Sequence, residues 1–404
     1  MEPRIAPEDL KEIGAKTLAK GPGSFSGVSI DSRTIREGEL FFAIRGPRFD
    51  GHDFVSAALA RGALGVVVDH DVPAPQGAGL YTVADTTSAL AALATARRAR
   101  LKTKVVAITG STGKTTTKDM TATLLSSLGP VLKTEGNLNN QYGLPLTLLK
   151  LEKEHHAAVL ELGMSAAGEI AALTRIARPD VVVITNVAPV HLAFFPSVDA
   201  IAEAKAEILQ GLKGVAVLNG DDSRVRAMAA RIPGRALLFG KDRSFHTSAE
   251  GWRGTILGMR FTLRIDGKGY DVALPLPGPH FVMNFLAAAT VGFHMGVHPE
   301  EILERALHMK AAPHRGEVRR LGESVTLIDD SYNASPFAVE AAVTTLALST
   351  SSRKVAFLGD MLELGEEGPA LHRETGEKVA RNLDLLVGVA PSPQVFSKAP
   401  SVGV

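Results

Sequence analysis

KVVAITGSTGKTTTKDM, residues 104–120, is the stretch on which the reading of this chain turns. Lys104–Thr109 is rich in β-branched residues and predicts a strand. Gly110, Ser111, Thr112 and Gly113 predict a tight turn, and Lys114 and Thr115 open a helix that runs to about Leu128. Strand, glycine-rich turn and helix start aim several backbone N–H groups and the positive helix end at one anion. In that geometry Lys114 reaches the terminal phosphates of a nucleotide and Thr115 offers its hydroxyl to Mg²⁺. The full phosphate-loop spacing asks for glycine at position 108, where this chain has Ile108. The strand-then-helix context therefore carries the reading, against the alternative of an ordinary Gly/Ser/Thr turn.

Outward from this loop, as far as about Ala312, the runs VVAIT, AAVLEL, VVVIT and VAVLN alternate with helical stretches. That is the pattern of a parallel sheet with helices on its faces. Between Arg235 and Pro277 shorter strands, MRFTLRI and YDVALPL, predict an antiparallel addition to the same domain, and helices follow from His280 to about Met309. Before the loop, LFFAI, LGVVV and LYTV surround a helical stretch at Phe54–Arg61, which predicts a small α/β domain closed by a helix over Thr87–Lys102. After AAPHRGE the alternation restarts with VTLIDD, a helix at Phe337–Ala347, KVAFLGD, a further helix and DLLVGV. The expectation is an α/β protein of three domains, residues 1–101, 102–312 and 313–404. The last is Rossmann-like and incomplete, and it ends in APSPQVFSKAPSVGV, which carries no periodicity.

Composition narrows the chemistry. The 404 residues carry 44 Lys plus Arg against 43 Asp plus Glu, so no net field gathers nucleic acid or an anionic membrane, and anionic ligands must be held locally. The absence of cysteine removes disulfides, thiolate metal sites and thiol nucleophiles. The start, MEPRIAPEDLKEIGAK, lacks the apolar core of a signal peptide, and no apolar run approaches the ~20 residues of a membrane span. These features predict a cytoplasmic protein, with a monomer as the default.

Open α/β sheets bind ligands beyond the C-terminal ends of their strands. Glu161 ends the run AAVLEL and His191 follows VVVITNVAPV, so a carboxylate and an imidazole stand where they could complete Mg²⁺ shells beside nucleotide oxygens. Lys205 is the most informative single residue. On a helix over Val198–Leu212 its neighbours three and four positions away are Ile201, Ala202, Ile208 and Leu209, all apolar. An ammonium in that stripe is strongly paired, neutral or chemically altered, unless the side chain snorkels to water.

TGSTGKTTTKDM, GNLNNQYGLPLTLL, ELGMSAAGEI, TNVAPVHL and AKAEI, in this order, resemble the central domain of the Mur ligase family. The resemblance implies an ATP- and Mg²⁺-dependent enzyme that activates a carboxylate as an acyl phosphate, which an amine then displaces to form an amide. It implies nucleotide contacts from Gly110, Ser111, Thr112, Gly113, Lys114, Thr115 and Thr116. It makes Glu161 and His191, with Thr115, metal ligands, and Lys205 a carbamylated lysine that serves as an anionic metal ligand. Within the family, DDSYNASP and LGDMLELGEE resemble the subgroup that joins D-alanyl-D-alanine to a UDP-linked muramoyl tripeptide (UDP-MurNAc-tripeptide) in peptidoglycan synthesis. Asp330 then contacts the nucleotide ribose, with Tyr332 and Asn333 nearby on the substrate side, and Arg315 in APHRGE faces the phosphates. SIDSRTIREGELFFAIRG and FDGHDF resemble the domain that holds the UDP end, which implies substrate contacts by Ser32, Arg33 and Gly46; Asn139 and Asn140 are carried over as substrate contacts from the central domain. Two departures stand out: the family often has His-Asn where this chain has His280-Phe281, leaving Asn284 as the base contact, and the Lys-Gly-Ser-type loop near the family's C-terminus is not found. Rivals are another Mur ligase, a folylpolyglutamate synthetase, and an ATP-binding regulator without ligase chemistry.

Overall fold

A computed structural model describes residues 5–21, 23–73 and 76–389. The N-terminal unit begins with helix α1 (Pro7–Glu12) and strands β1 (Lys16–Ala19), β2 (Val28–Ser29) and β3 (Leu40–Phe42). Helix α2 (Val55–Ala60), strands β4 (Gly65–Val68) and β5 (Gly79–Thr82) and helix α3 (Thr86–Arg100) complete it. Its five strands lie in the order β1-β5-β4-β3-β2, with β1 alone antiparallel to its neighbour. Asp85 caps α3 by accepting from the Ser88 N–H, and Arg97, Arg98 and Arg100 fill its last turn, where cations suit the helix dipole.

The middle sheet has nine strands in the order β14-β13-β12-β11-β10-β9-β6-β8-β7. Its first part comprises β6 (Lys104–Thr109), α4 (Lys114–Leu125), β7 (Val131–Lys133), α5 (Gly143–Leu149), β8 (Ala157–Glu161), α6 (Glu169–Ala177) and β9 (Val181–Ile184). It continues through α7 (Val198–Ala206), β10 (Val215–Asn219), α8 (Ser223–Ala227), β11 (Arg235–Gly240) and β12 (Thr247–Thr255). All pairs from β7 to β12 are parallel; β13 (Gly258–Ile265) and β14 (Lys268–Leu274) add the expected antiparallel extension. Side chains of successive strand residues point to opposite faces. Val105 and Ala107 of β6 therefore enter a core with α3, α5, α6 and α7, whereas Val106 and Ile108 enter one with α4 and α9 (Pro279–His294). Both faces are covered, which is why the parallel strands read as unbroken apolar runs. Helix α9 is buried along Phe281–Gly292, except at Met283, because it lies between α4 and strands β10 to β13, and α10 (Pro299–Ala306) follows it.

The third unit contains β15 (Glu317–Leu321), β16 (Val325–Asp329), α11 (Pro336–Ala347), β17 (Val355–Gly359), α12 (Gly368–Ala380) and β18 (Leu385–Val389). The expected elements are present, but they do not form one Rossmann-like sheet among the described residues. β15 and β16 make an antiparallel hairpin, and β17 and β18 make a separate parallel pair. The helix predicted over Val198–Leu212 is also shorter: α7 ends at Ala206 and a 3-10 turn follows, because Gly211 breaks the pattern with φ +69°. The expectation for 390–404 lies outside the described residues. No described helix is long and apolar enough to cross a membrane.

Candidate active site

The turn between β6 and α4 is built from both glycines that the sequence supplies. Gly110 has φ +154° and a Cβ there would stand 1.8 Å from Thr185 Oγ1; Gly113 has φ +79° and a Cβ would stand 2.3 Å from Asn284 Oδ1. Only glycine combines that backbone with such close neighbours. Asn186, two residues past the end of β9, braces the turn: its carbonyl accepts from Ser111 N at 2.9 Å and its Oδ1 from Thr112 N at 3.0 Å. Lys114 folds back over the loop, with Nζ donating to the Gly110 carbonyl at 2.9 Å.

Glu161 is buried at the end of β8, beside β6, and two donors orient its carboxylate. Thr115 Oγ1 donates to Oε2 and Asn139 Nδ2 to Oε1, each at 2.8 Å. The Glu161 N–H donates to Thr134 Oγ1, and the Thr134 carbonyl accepts from the buried Lys118 Nζ at 2.8 Å. An acidic oxygen pair held beside a helix N-terminus and a threonine hydroxyl is a donor set that fits Mg²⁺.

Lys205 is 1% exposed, and its Nζ has neither hydrogen-bond partner nor counter-ion among the described residues. Burial, followed by repulsion from Lys114, pushes its pKa well below the ordinary lysine value. Burial also lowers the Lys114 pKa, opposed by Glu161 and assisted by Arg315. His191 is shifted down, first by burial, against the pull of Glu363, and with help from Lys114 and Lys205. Glu161 offsets the charge of Lys114, whereas Lys205 and Arg315 add to the positive charge around it, an arrangement that an anionic ligand stabilises.

One cleft is lined by Ser111, Thr112, Gly113, Lys114, Thr115, Thr116, Asn139, Glu161, His191, Asn284, Arg315, Asp330, Tyr332 and Asn333. Gly110 lies beneath it as part of the turn. Lys205 stands behind the lining, within electrostatic reach of Lys114 and His191. Arg315 stacks its guanidinium on the Tyr332 ring at 3.9 Å, and burial raises the Asp330 pKa against the opposing charge of Arg315. Asn284 is buried, with Oδ1 accepting from Thr117 Oγ1 at 3.4 Å, so its carbonyl faces the phosphate loop. Asn140 is outside the lining; its Oδ1 caps the start of α5 by accepting from the Tyr142 and Gly143 N–H groups.

Ser32, Arg33 and Gly46 lie apart from this cleft, on the N-terminal unit. Arg33 holds Asp31 in a bidentate pair, Nε to Oδ1 at 2.9 Å and Nη2 to Oδ2 at 2.8 Å, so its charge is partnered within its own turn. Gly46 has no left-handed backbone, and a Cβ there would meet Phe49 at an ordinary 3.6 Å. Sequence reasoning missed Asn186, Asn219, His280 and Glu363 in the cleft lining. Asn219 ends β10 as Glu161 ends β8, and that shared position could have revealed it; Glu363 lies within the quoted string LGDMLELGEE, which carried the resemblance without giving that residue a role.

Comparison with known proteins accords with this geometry. Family models for the Mur ligase family catalytic domain, the Mur ligase middle domain and the Mur ligase glutamate ligase domain match residues 24–100, 108–292 and 314–400. The Escherichia coli UDP-N-acetylmuramoyl-tripeptide–D-alanyl-D-alanine ligase is 38% identical over 387 residues, 94% of this chain and 84% of that protein. A crystal structure of MurF from Acinetobacter baumannii superposes with a TM-score of 0.92 at 32% identity, covering 98% of this chain and 88% of that one. MurF from Thermotoga maritima in complex with ADP gives 0.82 at 32% identity, covering 92% and 86%. The expected three-domain α/β architecture is thereby borne out, and this chain belongs to the Mur ligase family.

Proposed function

We propose that the chain is an ATP-dependent ligase that joins D-alanyl-D-alanine to UDP-N-acetylmuramoyl-tripeptide in peptidoglycan precursor synthesis. The observation that carries this reading is the convergence, beyond the C-terminal ends of β6 and β8, of the glycine turn, Glu161 and a buried lysine without a counter-ion among the described residues. Its relatives over most of the chain are ligases of that name. In the reaction the tripeptide carboxylate displaces ADP at the γ-phosphorus of ATP, and the dipeptide amine then displaces phosphate from the acyl phosphate.

Loop N–H groups of residues 110–115 and the start of α4 hold the phosphates, and Lys114 neutralises charge that develops on the transferred group. Thr115, Glu161, His191 and a carbamate on Lys205 would hold Mg²⁺, which supplies charge neutralisation when bound. Lys205 suits the carbamate: only a neutral amine captures CO₂, and the resulting anion turns repulsion by Lys114 into attraction. Arg315 and Asp330 flank the nucleotide, with Asn284 at its base side; Tyr332, Asn333 and Asn139 face the acceptor. Ser32, Arg33 and Gly46 belong to the N-terminal unit that takes the UDP end. There Arg33 would exchange its Asp31 partner for the diphosphate or share it. ATP and a UDP-linked precursor are cytoplasmic metabolites, which argues for a cytoplasmic enzyme, and one chain supplies every proposed group, so a monomer suffices.

The test is phosphate release with mass identification of the product, using UDP-MurNAc-tripeptide and a panel of amines. The reading expects an amide product with D-alanyl-D-alanine. Turnover with a single amino acid or a folate acceptor instead, or nucleotide binding with no amide product, contradicts it.

A further inference from the structure

Two non-glycine residues with left-handed backbones face each other across the seam between the middle and third units: His191 at φ +59° and Glu363 at φ +62°. That conformation is uncommon outside glycine and persists where surrounding contacts fix it. Here the contacts are specific. The Ala193 N–H donates to the Glu363 carbonyl at 3.0 Å, the Glu363 carboxylate pairs with His191 Nδ1, and Gly365 packs so closely that a Cβ would stand 3.3 Å from Ala193. The two loops come from units 172 positions apart in sequence, and His191 and Glu363 both line the cleft.

We propose that Glu363 is a positioning residue that transmits seating of the third unit to His191, fixing the imidazole so that its free lone pair is on Nε2. A neutral imidazole that donates from Nδ1 has only Nε2 left to ligate or accept, so the partner of one nitrogen decides the role of the other. The seam therefore couples closure of the cleft to the orientation of a group at the phosphate end. The inference deepens the proposed ligase reading and rests on it only for the turnover arm of its test.

Because the chain has no cysteine, a label pair is introduced cleanly at two exposed positions, Lys213→Cys and Arg373→Cys. Interdomain distances are measured on the nucleotide-free full chain, with and without Glu363→Ala, Glu363→Gln and Gly365→Ala; melting curves check the fold. Glu363→Ala should broaden or lengthen the distance distribution and lower kcat by about 10- to 100-fold with less change in the KM for ATP. Glu363→Gln keeps an acceptor oxygen for Nδ1–H and should recover most of both. Gly365→Ala pushes the seam apart without altering the carboxylate and should shift the distances the same way. An unchanged distribution in Glu363→Ala overturns the proposal whatever the turnover, as does a Glu363→Gln chain as impaired as Glu363→Ala. If the unsubstituted chain forms no amide product, the ligase reading fails while the distance arm still decides this one.

Discussion

Thr115 Oγ1 donates a 2.8 Å hydrogen bond to Glu161 Oε2, tying the first turn of α4 to the end of the neighbouring strand β8. The phosphate loop and the acidic end of the sheet are thus one preorganised unit, and changes to either partner should be felt by the nucleotide.

Thr115→Ser keeps that hydroxyl and should retain near-normal turnover. Thr115→Val keeps the shape, loses the donor and the proposed metal ligand, and should lower activity or Mg²⁺ affinity by about 10- to 100-fold. Steady-state kinetics across a Mg²⁺ titration separate the two, and equal activity of both variants would remove Thr115 from the metal site.

Gly113→Ala places a Cβ 2.3 Å from Asn284 Oδ1 on a backbone with φ +79°. ADP binding, read by calorimetry, should weaken about tenfold or more, the cost of strain plus a displaced Asn284. Gly267→Ala is the control: φ is +73° but no atom lies within 4 Å of the added carbon, so nucleotide affinity should stay as it is.

Arg315→Lys retains charge and loses the planar stack on Tyr332. The KM for ATP should rise several-fold, with melting unchanged because Tyr332 is already half exposed. A drop in melting temperature without a KM effect would make the stack structural.

His280 Nδ1 is buried without a partner among the described residues, and burial holds its pKa down at about 4, below the ordinary 6.5. Between those values the unfolded chain binds the proton and the folded chain does not, so stability present above pH 6.5 is lost as pH falls toward 4. The loss from this residue is at most about 3 kcal/mol. His191, His246 and His294 are shifted the same way, so the measurement is a difference: Tm against pH for the chain and for His280→Gln, with a flatter acid limb expected in the variant.

Period and position made much of this legible. β-branched runs ending in Glu161 and Thr109 marked the parallel strands, and apolar neighbours three and four residues from Lys205 predicted the burial that is observed. What sequence did not reveal depends on contacts between distant segments. Lys118 reaching Thr134, Asn284 seated against Gly113, and Glu363 meeting His191 each require the finished fold to bring them together. Arg33 shows the converse: the resemblance implied a substrate contact there, and nothing in that reading showed that the same turn supplies Asp31 to pair its guanidinium. The separation of β15–β16 from β17–β18 was equally hidden, since alternation of strand and helix reports the elements and not their pairing.

The central claim, that the phosphate loop and Lys205 form one centre in which the lysine acts as an anion, is tested most directly by ¹³C NMR with labelled bicarbonate. A carbamate carbon signal should appear in the chain, vanish in Lys205→Ala together with ligase turnover, and be strengthened by ADP and Mg²⁺. Full turnover with no labelled carbon on Lys205 would contradict it.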